Sequence, residues 1–170
     1  RFLLRHPVDK LPHRRVVEQA LHIHAVPLQF GIGKIGDQRL LADRVHRYDI
    51  AAAAAYAQCG LSAQDIDAAV IYDAFSPIVL WQLESWGFCK YGEAADYVKA
   101  GNLRPGGRLP TNTHGGQLSE AYIHGVNGIV EAVRLVRGTS VNQPKKTVNH
   151  ALVTSGVGVP TGGAILGRMD

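Results

Sequence analysis

Tyr72 and Asp73 lie where a short strand is expected to give way to a helix, and this is a position that can support proton-transfer chemistry. The run 67–73, Asp-Ala-Ala-Val-Ile-Tyr-Asp, is a continuous apolar stretch bounded by polar residues, which suits a strand covered on both faces. Ser76 and Pro77 then have the residue types of an N-cap and a first helical turn. Because α/β sheets bind ligands at strand carboxyl ends beside helix N-termini, we predict a site at residues 72–76.

A glycine-rich loop supplies a second group of candidate residues. It runs through Arg104-Pro-Gly-Gly-Arg into Leu109-Pro-Thr-Asn-Thr-His-Gly-Gly. Long irregular loops inside compact domains are usually functional. Phenol, carboxylate and imidazole groups from the two regions can donate and accept protons. The loop is therefore predicted to contribute to the same site.

The composition indicates one globular α/β unit. The chain has 170 residues, of which 46% are hydrophobic, enough for one sizeable core. Its longest apolar run, residues 50–57, is mostly alanine and is shorter than the roughly 18 residues of a membrane span. Cys59 and Cys89 form no disulfide framework or metal-ligand spacing. We therefore expect a cytoplasmic protein that does not enter a membrane.

The formal net charge of +4 is concentrated in the first residues, which include Arg1, Arg5 and Lys10. Such a segment can steer phosphate-bearing ligands such as CoA. Aromatic residues are not interleaved with these charges, so a nucleic-acid partner is not predicted. Arg1 is neither an initiator Met nor the start of a secretory signal, which indicates a fragment or a subunit.

The remaining elements are predicted from periodicity and from breaker residues. Strands are expected over 22–30, 150–155 and 163–168, and helices over 49–59 and 93–100. Gly60, Gly87 and Gly138 stand where helices would end. A further helix before Gly138 has five apolar residues spaced as one stripe, which predicts packing on the sheet through that stripe. They are Val126, Ile129, Val130, Val133 and Val136. The architecture expected is a mixed sheet with helices on both faces.

Several motifs together resemble the C-terminal domain of thiolases, and most closely the sterol-carrier-protein and lipid-transfer-protein branch. They are Tyr72-Asp-Ala-Phe-Ser, Glu84, Gly87-Phe-Cys, Gly92-Glu and Asn112-Thr-His-Gly-Gly-Gln-Leu-Ser-Glu. The resemblance covers about residues 49–168. It implies a thiolase-like C-terminal domain over 22–170, preceded by an unassigned basic leading segment over 1–21.

Two tyrosines depart from the thiolase pattern. Tyr72 stands where thiolases carry an amide or an imidazole, and a gap-free alignment places Tyr122 on the histidine of their Gly-His-Pro motif. This double substitution is similar to that of the thiolase-like aldolases of steroid side-chain degradation. The resemblance implies retro-aldol cleavage of a 17-hydroxysteroid acyl-CoA to a 17-ketosteroid and propionyl-CoA. It also implies that Tyr72 and Tyr122 are the catalytic pair.

The roles of the other candidate residues follow from the same resemblance. We expect Tyr122 to be the base and Tyr72 to position the thioester or hydroxyl. The residues expected to assist are His124, His114 and Asp73. Asn112, Gly115 and Gly116 are expected to bind the acyl-CoA, and CoA enters only as part of the substrate. For His114, His124 and Asp73, structural hydrogen bonding or helix capping is an equally good interpretation.

Other chemistries have weaker support. A Schiff-base aldolase needs a buried lysine, but the lysines lie in polar or glycine-rich stretches or in the basic opening. His22 and His24 alternate on one strand, yet no further ligand is suitably spaced, so no metal site is predicted. Alternative functions are an acyl-CoA acyltransferase of the acetyl-CoA acetyltransferase type and a non-catalytic lipid- or CoA-binding module. A further alternative is a chain that is inactive without its N-terminal half.

Three protein partners are expected in addition to the acyl-CoA substrate. The resemblance implies a homodimer, an N-terminal thiolase half missing from this chain, and a small partner with a DUF35 domain, which combines an OB-fold with a zinc ribbon.

Overall fold

The fold is seen in a computed structural model, which describes residues 21–28, 39–120, 122–123, 126–156 and 161–168. Its strands are β1 (Leu21–Leu28), β2 (Ala68–Val70), β3 (His150–Ser155) and β4 (Thr161–Arg168). Its helices are α1 (Arg39–Cys59), α2 (Ser76–Ser85), α3 (Ala94–Lys99), α4 (Gly116–Ser119) and α5 (Val126–Arg137), and a 3₁₀ turn covers Ala63–Asp65. The predicted basic leading segment lies outside the described residues, apart from Leu21, and the domain boundary stays a prediction.

The four strands form one mixed sheet in the order β1-β4-β3-β2. Strand β4 is antiparallel to both β1 and β3, whereas β2 is parallel to β3. The outer edge of β2 is covered by the glycine-rich loop, because the Ala69 N–H donates to the Pro110 carbonyl and the Asn112 N–H donates to the Ala69 carbonyl. The sheet therefore brings the loop to the strand that leads to Tyr72.

Helices cover both faces of the sheet, as predicted. The α1 and α2 face contains a cluster with Leu83, Trp86, Leu152 and Ile165 at its centre. The α5 face contains the second cluster, built from β2, β3 and β4 side chains against α5. Successive residues of β2 alternate between the two, with Val70 facing α5 and Ala69 facing α1 and α2, as the pleat of a strand requires.

Glycine allows close packing at two points on these faces. A Cβ on Gly163 of β4 would lie 2.5 Å from the Trp86 ring, and one on Gly128 of α5 would lie 3.2 Å from Val70 Cγ1. The second contact explains how α5 approaches the sheet. Its buried positions include two small residues near the middle of the helix and two apolar residues near its C-terminal end, together with the polar Glu131. They are Gly128, Ala132, Leu135, Val136 and Glu131.

The prediction that the five-residue apolar stripe packs on the sheet is therefore wrong for most of its members. Val126, Ile129 and Val130 are 65%, 43% and 39% exposed, and only Val136 is buried. Gly128 permits a backbone approach that a valine face would prevent, so the small face turns inwards. The exposed face of α5, defined by Val126, Ile129 and Val130, is an apolar surface at the N-terminal end of the helix.

The other predicted elements are present with shifted ends. Helix α1 begins ten residues before the predicted start, and β2 is three residues long rather than seven. Ser76 is the first residue of α2 and not its N-cap, a place taken by Phe75 with no side-chain capping bond. The left-handed glycines Gly60, Gly87 and Gly138 confirm the predicted helix ends. None of the helices in the described ranges has the length and hydropathy of a membrane span.

Candidate active site

The chain between β2 and Tyr72 is held on one side by a side chain that replaces a neighbouring strand. Asn112 Oδ1 accepts a hydrogen bond from the Ile71 N–H at 2.8 Å, and Asn112 Nδ2 donates to the Ile71 carbonyl at 2.9 Å. Asn112 is left-handed, with φ of 50°, a conformation that asparagine tolerates better than most residues. Its amide thus positions the strand end. Binding of acyl-CoA by Asn112 stays a prediction.

On the opposite side, two buried polar side chains hold the Tyr72 peptide itself. The Tyr72 N–H donates to Thr154 Oγ1 at 2.9 Å, and Gln82 Nε2 donates to the Tyr72 carbonyl at 2.8 Å. Neither Gln82 nor Thr154 was predicted from the sequence. The available signal was a polar residue inside an apolar run, since Gln82 follows Leu80 and Trp81 in α2 and Thr154 ends the run Ala-Leu-Val in β3.

Tyr122 lies in the turn between α4 and α5, where its backbone is left-handed with φ of 53°. Its N–H donates to the Gln117 carbonyl at 2.8 Å, and the residue is 37% exposed. This conformation costs a non-glycine residue about 1–2 kcal/mol, and such costs cluster at functional sites. His124, the neighbouring candidate, lies outside the described residues.

The structure brings the two predicted tyrosines together. The side chains of Tyr72 and Tyr122 hydrogen-bond each other, although they come from distant parts of the chain. Burial raises the pKa of Tyr72 above its ordinary value, and the hydrogen bond to Tyr122 and repulsion from Tyr122 and Asp73 raise it further. Tyr72 therefore keeps its proton to a higher pH than a free tyrosine and is suited to donate a hydrogen bond.

Asp73 connects the end of β2 to the short helix α4. Its Oδ1 accepts a hydrogen bond from the Gln117 N–H at 3.0 Å. A Cβ on Gly116 would collide with Asp73 Oδ2, and one on Gly115 would collide with Ser119, so both glycines permit close approach. These contacts agree with the capping interpretation of Asp73. Assistance by Asp73 in catalysis, and acyl-CoA binding by Gly115 and Gly116, stay predictions.

A buried carboxylate, which was also not predicted from the sequence, fixes the same loop to α5. Glu131 is 2% exposed, and its Oε1 accepts hydrogen bonds from Thr113 Oγ1 at 2.5 Å and from Ser140 Oγ at 2.6 Å. Asn142 Nδ2 donates to the Thr113 carbonyl at 2.7 Å. Since a buried charge is costly unless it is bonded, Glu131 has the character of a structural anchor for the loop.

Three side chains of the loop and the neighbouring helices have buried polar atoms with no partner in the described part of the chain. They are both ring nitrogens of His114, Oε1 of Gln117, and the amide oxygen and nitrogen of Asn127. Buried polar atoms are nearly always hydrogen-bonded in folded proteins. These atoms are therefore suited to bind a substrate or another part of the protein.

Neither cysteine has the environment of an activated nucleophile. Burial raises the pKa of the Cys89 thiol to about 11, and the charges of Glu84 and Glu93 act in the same direction. Cys59 Sγ donates to the Ala55 carbonyl at 3.1 Å. Reactive thiols are instead found where positive charges lower the pKa. In the ranges described, no three His, Cys, Asp or Glu side chains group closely enough to hold a metal ion.

Comparison with curated proteins finds two enzymes whose names refer to steroid substrates and one sterol carrier protein. The chain is 68% identical over 112 residues to a "steroid side-chain-cleaving aldolase" of Thermomonospora curvata, covering 66% of this chain and 28% of the relative. It is 61% identical over 112 residues to "17-hydroxy-3-oxo-4-pregnene-20-carboxyl-CoA lyase" of Mycobacterium tuberculosis, covering 66% and 29%. It is 30% identical over 116 residues to human "sterol carrier protein 2", covering 68% and 21%.

A solved structure and a family match agree with these relatives. The structure is that of an "Ltp2-ChsH2(DUF35) aldolase", and it matches with a TM-score of 0.69 and 63% identity over 71% of this chain and 31% of that chain. The chain thus spans less than a third of the length of these relatives. Residues 36–168 match the family described as thiolase C-terminal domain-like. The chain belongs to this thiolase C-terminal domain family.

Proposed function

We propose that this chain is the C-terminal part of an aldolase that cleaves a 17-hydroxysteroid side-chain acyl-CoA. The products are a 17-ketosteroid and propionyl-CoA. The hydrogen-bonded pair of Tyr72 and Tyr122 is the observation that carries the proposal, because it joins two proton-transfer groups at the carboxyl end of a strand. The names of the two most similar relatives described above support the substrate class.

The proposed reaction needs two groups that handle protons. A base takes the proton of the hydroxyl on C17, and a carbonyl forms there as the bond to the thioester α-carbon breaks. The electron pair of that bond passes into the thioester and makes an enolate. A donor stabilises the enolate oxygen, and the α-carbon then takes up a proton to give the acyl-CoA. The reaction consumes no water and needs no redox partner.

The two tyrosines fit these roles in one arrangement better than in the other. Tyr72 retains its proton because burial and its neighbours raise its pKa, so we assign it to the donor that faces the enolate oxygen. Tyr122 then acts as the base towards the hydroxyl. Its left-handed position on a partly exposed turn leaves it accessible to a substrate.

The remaining candidates are assigned supporting roles. We propose that His114 exchanges a proton with the substrate, because its two buried ring nitrogens have no partner in the described residues. Asp73 and Asn112 hold the chain on both sides of Tyr72. Acyl-CoA binding by Asn112, Gly115 and Gly116 is retained on the ground of the resemblance alone. His124 is retained as an assisting residue on the ground of the resemblance alone.

The partners proposed are an N-terminal thiolase-like half, a DUF35 protein and a second copy of the enzyme. The relatives are more than three times as long as their match to this chain, and the name of the similar solved structure includes a DUF35 component. The exposed apolar face of α5 is a surface that the N-terminal half would cover. We also propose a cytoplasmic location, since Cys59 and Cys89 are free thiols.

The proposal is tested with the full-length protein, its DUF35 partner and a 17-hydroxysteroid acyl-CoA, with release of ketone and propionyl-CoA as the measurement. Tyr72→Phe and Tyr122→Phe should each lower kcat by roughly 100- to 1,000-fold, the usual effect of removing an oxyanion donor or a general base. Tyr91→Phe is the control, because it removes a phenol hydroxyl that donates to Asp49 of α1.

The same assay separates the alternatives. Thiolysis of a ketoacyl-CoA by free CoA would identify an acyltransferase, and binding without turnover would identify a lipid- or CoA-binding module. Full activity in both phenylalanine variants would end the assignment of the tyrosine pair.

A further inference from the structure

Gln82 and Thr154 form a closed ring of hydrogen bonds with the peptide groups of Tyr72. The Tyr72 N–H donates to Thr154 Oγ1, the Thr154 hydroxyl donates to Gln82 Oε1, and Gln82 Nε2 donates back to the Tyr72 carbonyl. Gln82 Nε2 also donates to the Ile78 carbonyl at 3.0 Å, which ties the ring to α2. Gln82 is fully buried and Thr154 is 5% exposed. The ring is thus shielded from water.

The ring begins where the backbone ladder between β2 and β3 ends. Val70 pairs with Val153 in the last register position of the parallel ladder. One step further, side chains replace the main chain, and they bond both polar groups of the Tyr72 peptide. On the other edge, Asn112 bonds both polar groups of Ile71 in the same way. The peptide groups of Ile71 and Tyr72 are therefore held by side chains beyond the end of the strand.

The ring lies behind Tyr72 and not in front of its hydroxyl. Val70 faces α5, so by the alternation of a strand the Tyr72 side chain is directed to the α5 face. Val153 also faces α5, so Thr154 is directed to the opposite face, where it meets Gln82 of α2. A substitution in the ring can consequently move Tyr72 without altering any group that faces the tyrosine pair.

We propose that Gln82 and Thr154 are positioning residues that place the Tyr72 hydroxyl against Tyr122 and the reacting thioester. The proposal rests on the proposed aldolase function for its catalytic consequence. A backbone shift at Tyr72 would be transmitted along the whole phenol side chain, and misplacement of a catalytic group by about 1 Å costs on the order of 100-fold in rate. Neither residue contacts the substrate in this arrangement.

The test compares Thr154→Val with Thr154→Ser in the full-length enzyme. Valine keeps the shape of threonine and removes the hydroxyl, whereas serine keeps the hydroxyl. Gln82→Met removes the amide from the other end of the ring and serves as the second variant. Tyr56→Phe is the control, because it also removes a hydrogen bond on the α1 and α2 face, from the Tyr56 hydroxyl to the Trp86 carbonyl.

Two measurements are made on each variant. The first is kcat and KM with the 17-hydroxysteroid acyl-CoA, for which Thr154→Val and Gln82→Met should lower kcat by roughly 10- to 100-fold with little change in KM. The second is ultraviolet titration of tyrosine ionisation, with the Tyr72 signal assigned by difference from Tyr72→Phe. Loss of the contact with Tyr122 should lower the pH at which Tyr72 ionises.

The outcomes separate the two proposals. Thr154→Ser and Tyr56→Phe should keep the wild-type kcat and Tyr72 ionisation. The positioning role is overturned by wild-type kcat and unchanged Tyr72 ionisation in either ring variant, or by a Thr154→Ser enzyme as impaired as Thr154→Val. If the wild-type enzyme does not cleave the steroid thioester, the proposed function fails, and the titration alone still decides whether the ring positions Tyr72.

Discussion

Tyr72 and Tyr122 meet at one point but are held there in opposite ways. Tyr72 follows a buried strand, and side chains from the loop, from α2 and from β3 bond the peptides around it. Tyr122 lies in a short turn with a left-handed backbone, and Ile123 beside it is 60% exposed. One tyrosine is therefore placed by packing and hydrogen bonds, and the other is placed by a strained turn.

The difference suggests a division of labour in the proposed reaction. A group that stabilises developing charge must already be in position, because preorganised donors avoid the cost of reorientation during the reaction. A base that receives a proton from a bulky steroid alcohol must be reached by the substrate. The fixed, protonated Tyr72 suits the first role, and the accessible Tyr122 suits the second.

Asn112→Ala should have the largest effect on stability, because it removes the side chain that holds the chain next to Tyr72. The change removes two hydrogen bonds to Ile71 and places alanine in a left-handed conformation. We expect the free energy of unfolding to fall by about 3 kcal/mol, from about 1 kcal/mol for each bond and about 1 for the backbone. Chemical denaturation of the full-length protein measures the change.

Two matched variants separate the hydrogen-bond contribution of Asn112 from its backbone contribution. Asn112→Gly loses the bonds without the backbone cost and should lower the free energy of unfolding by about 2 kcal/mol. Asn102→Ala removes one hydrogen bond to the Tyr97 carbonyl, away from the tyrosine pair, and should cost about 1 kcal/mol. The comparison is contradicted if Asn112→Ala is no more destabilising than Asn102→Ala.

Tyr122→Asn should have a smaller effect on stability, which is measured relative to Tyr122→Phe. Both variants at this position, Tyr122→Asn and Tyr122→Phe, lose the side-chain hydrogen bond to Tyr72. Asparagine tolerates the left-handed region, so the free energy of unfolding of Tyr122→Asn should exceed that of Tyr122→Phe by up to about 1 kcal/mol, while aldol cleavage is lost. Thermal unfolding and the ketone-release assay measure the two properties. Tyr122→Phe keeps the strained backbone and is the control. A Tyr122→Asn protein that is no more stable than Tyr122→Phe would show that the turn is not strained.

The smallest expected effect is a change in the free energy of unfolding in alkaline solution, where Tyr72 loses its proton. Its pKa is raised in the folded state, so its contribution to stability is fully present below the unfolded pKa of about 10 and is lost as the pH rises through the folded value. The free energy of unfolding should therefore fall above about pH 10. Tyr72→Phe should show a shallower fall, and an identical slope would contradict the assignment.

The sequence predicted the order and type of most elements because each depends on local signals. The left-handed glycines Gly60, Gly87 and Gly138 end helices as expected, and the apolar run around Ala69 forms a strand buried on both faces. The α5 prediction failed because apolar residues occur around much of the helix. The inward face was selected by a close approach at Gly128, which periodicity does not reveal.

The candidate site likewise combines residues that local sequence signals predict with residues that only the fold brings together. Tyr72, Asp73 and the Asn112 loop were found from a strand-to-helix turn and a motif, and the catalytic role of the tyrosines stays a prediction. Gln82, Thr154 and Glu131 were not predicted, because a polar residue inside an apolar run does not by itself reveal what it bonds. It is recognised by its partners, and Gln82 and Thr154 meet only after α2 and β3 have packed.

The amino-acid sequence by itself determined the thiolase-like chain of elements and placed two tyrosines at distant positions. Residue type, helix-ending glycines and motif spacing are properties of neighbouring residues, so they can be recognised without knowledge of the fold. Only the tertiary structure decided that the two phenols meet, which face of α5 is buried, and which polar groups hold Tyr72. Those outcomes depend on contacts between remote segments, whose distances and hydrogen bonds exist only once the sheet and its helices have packed.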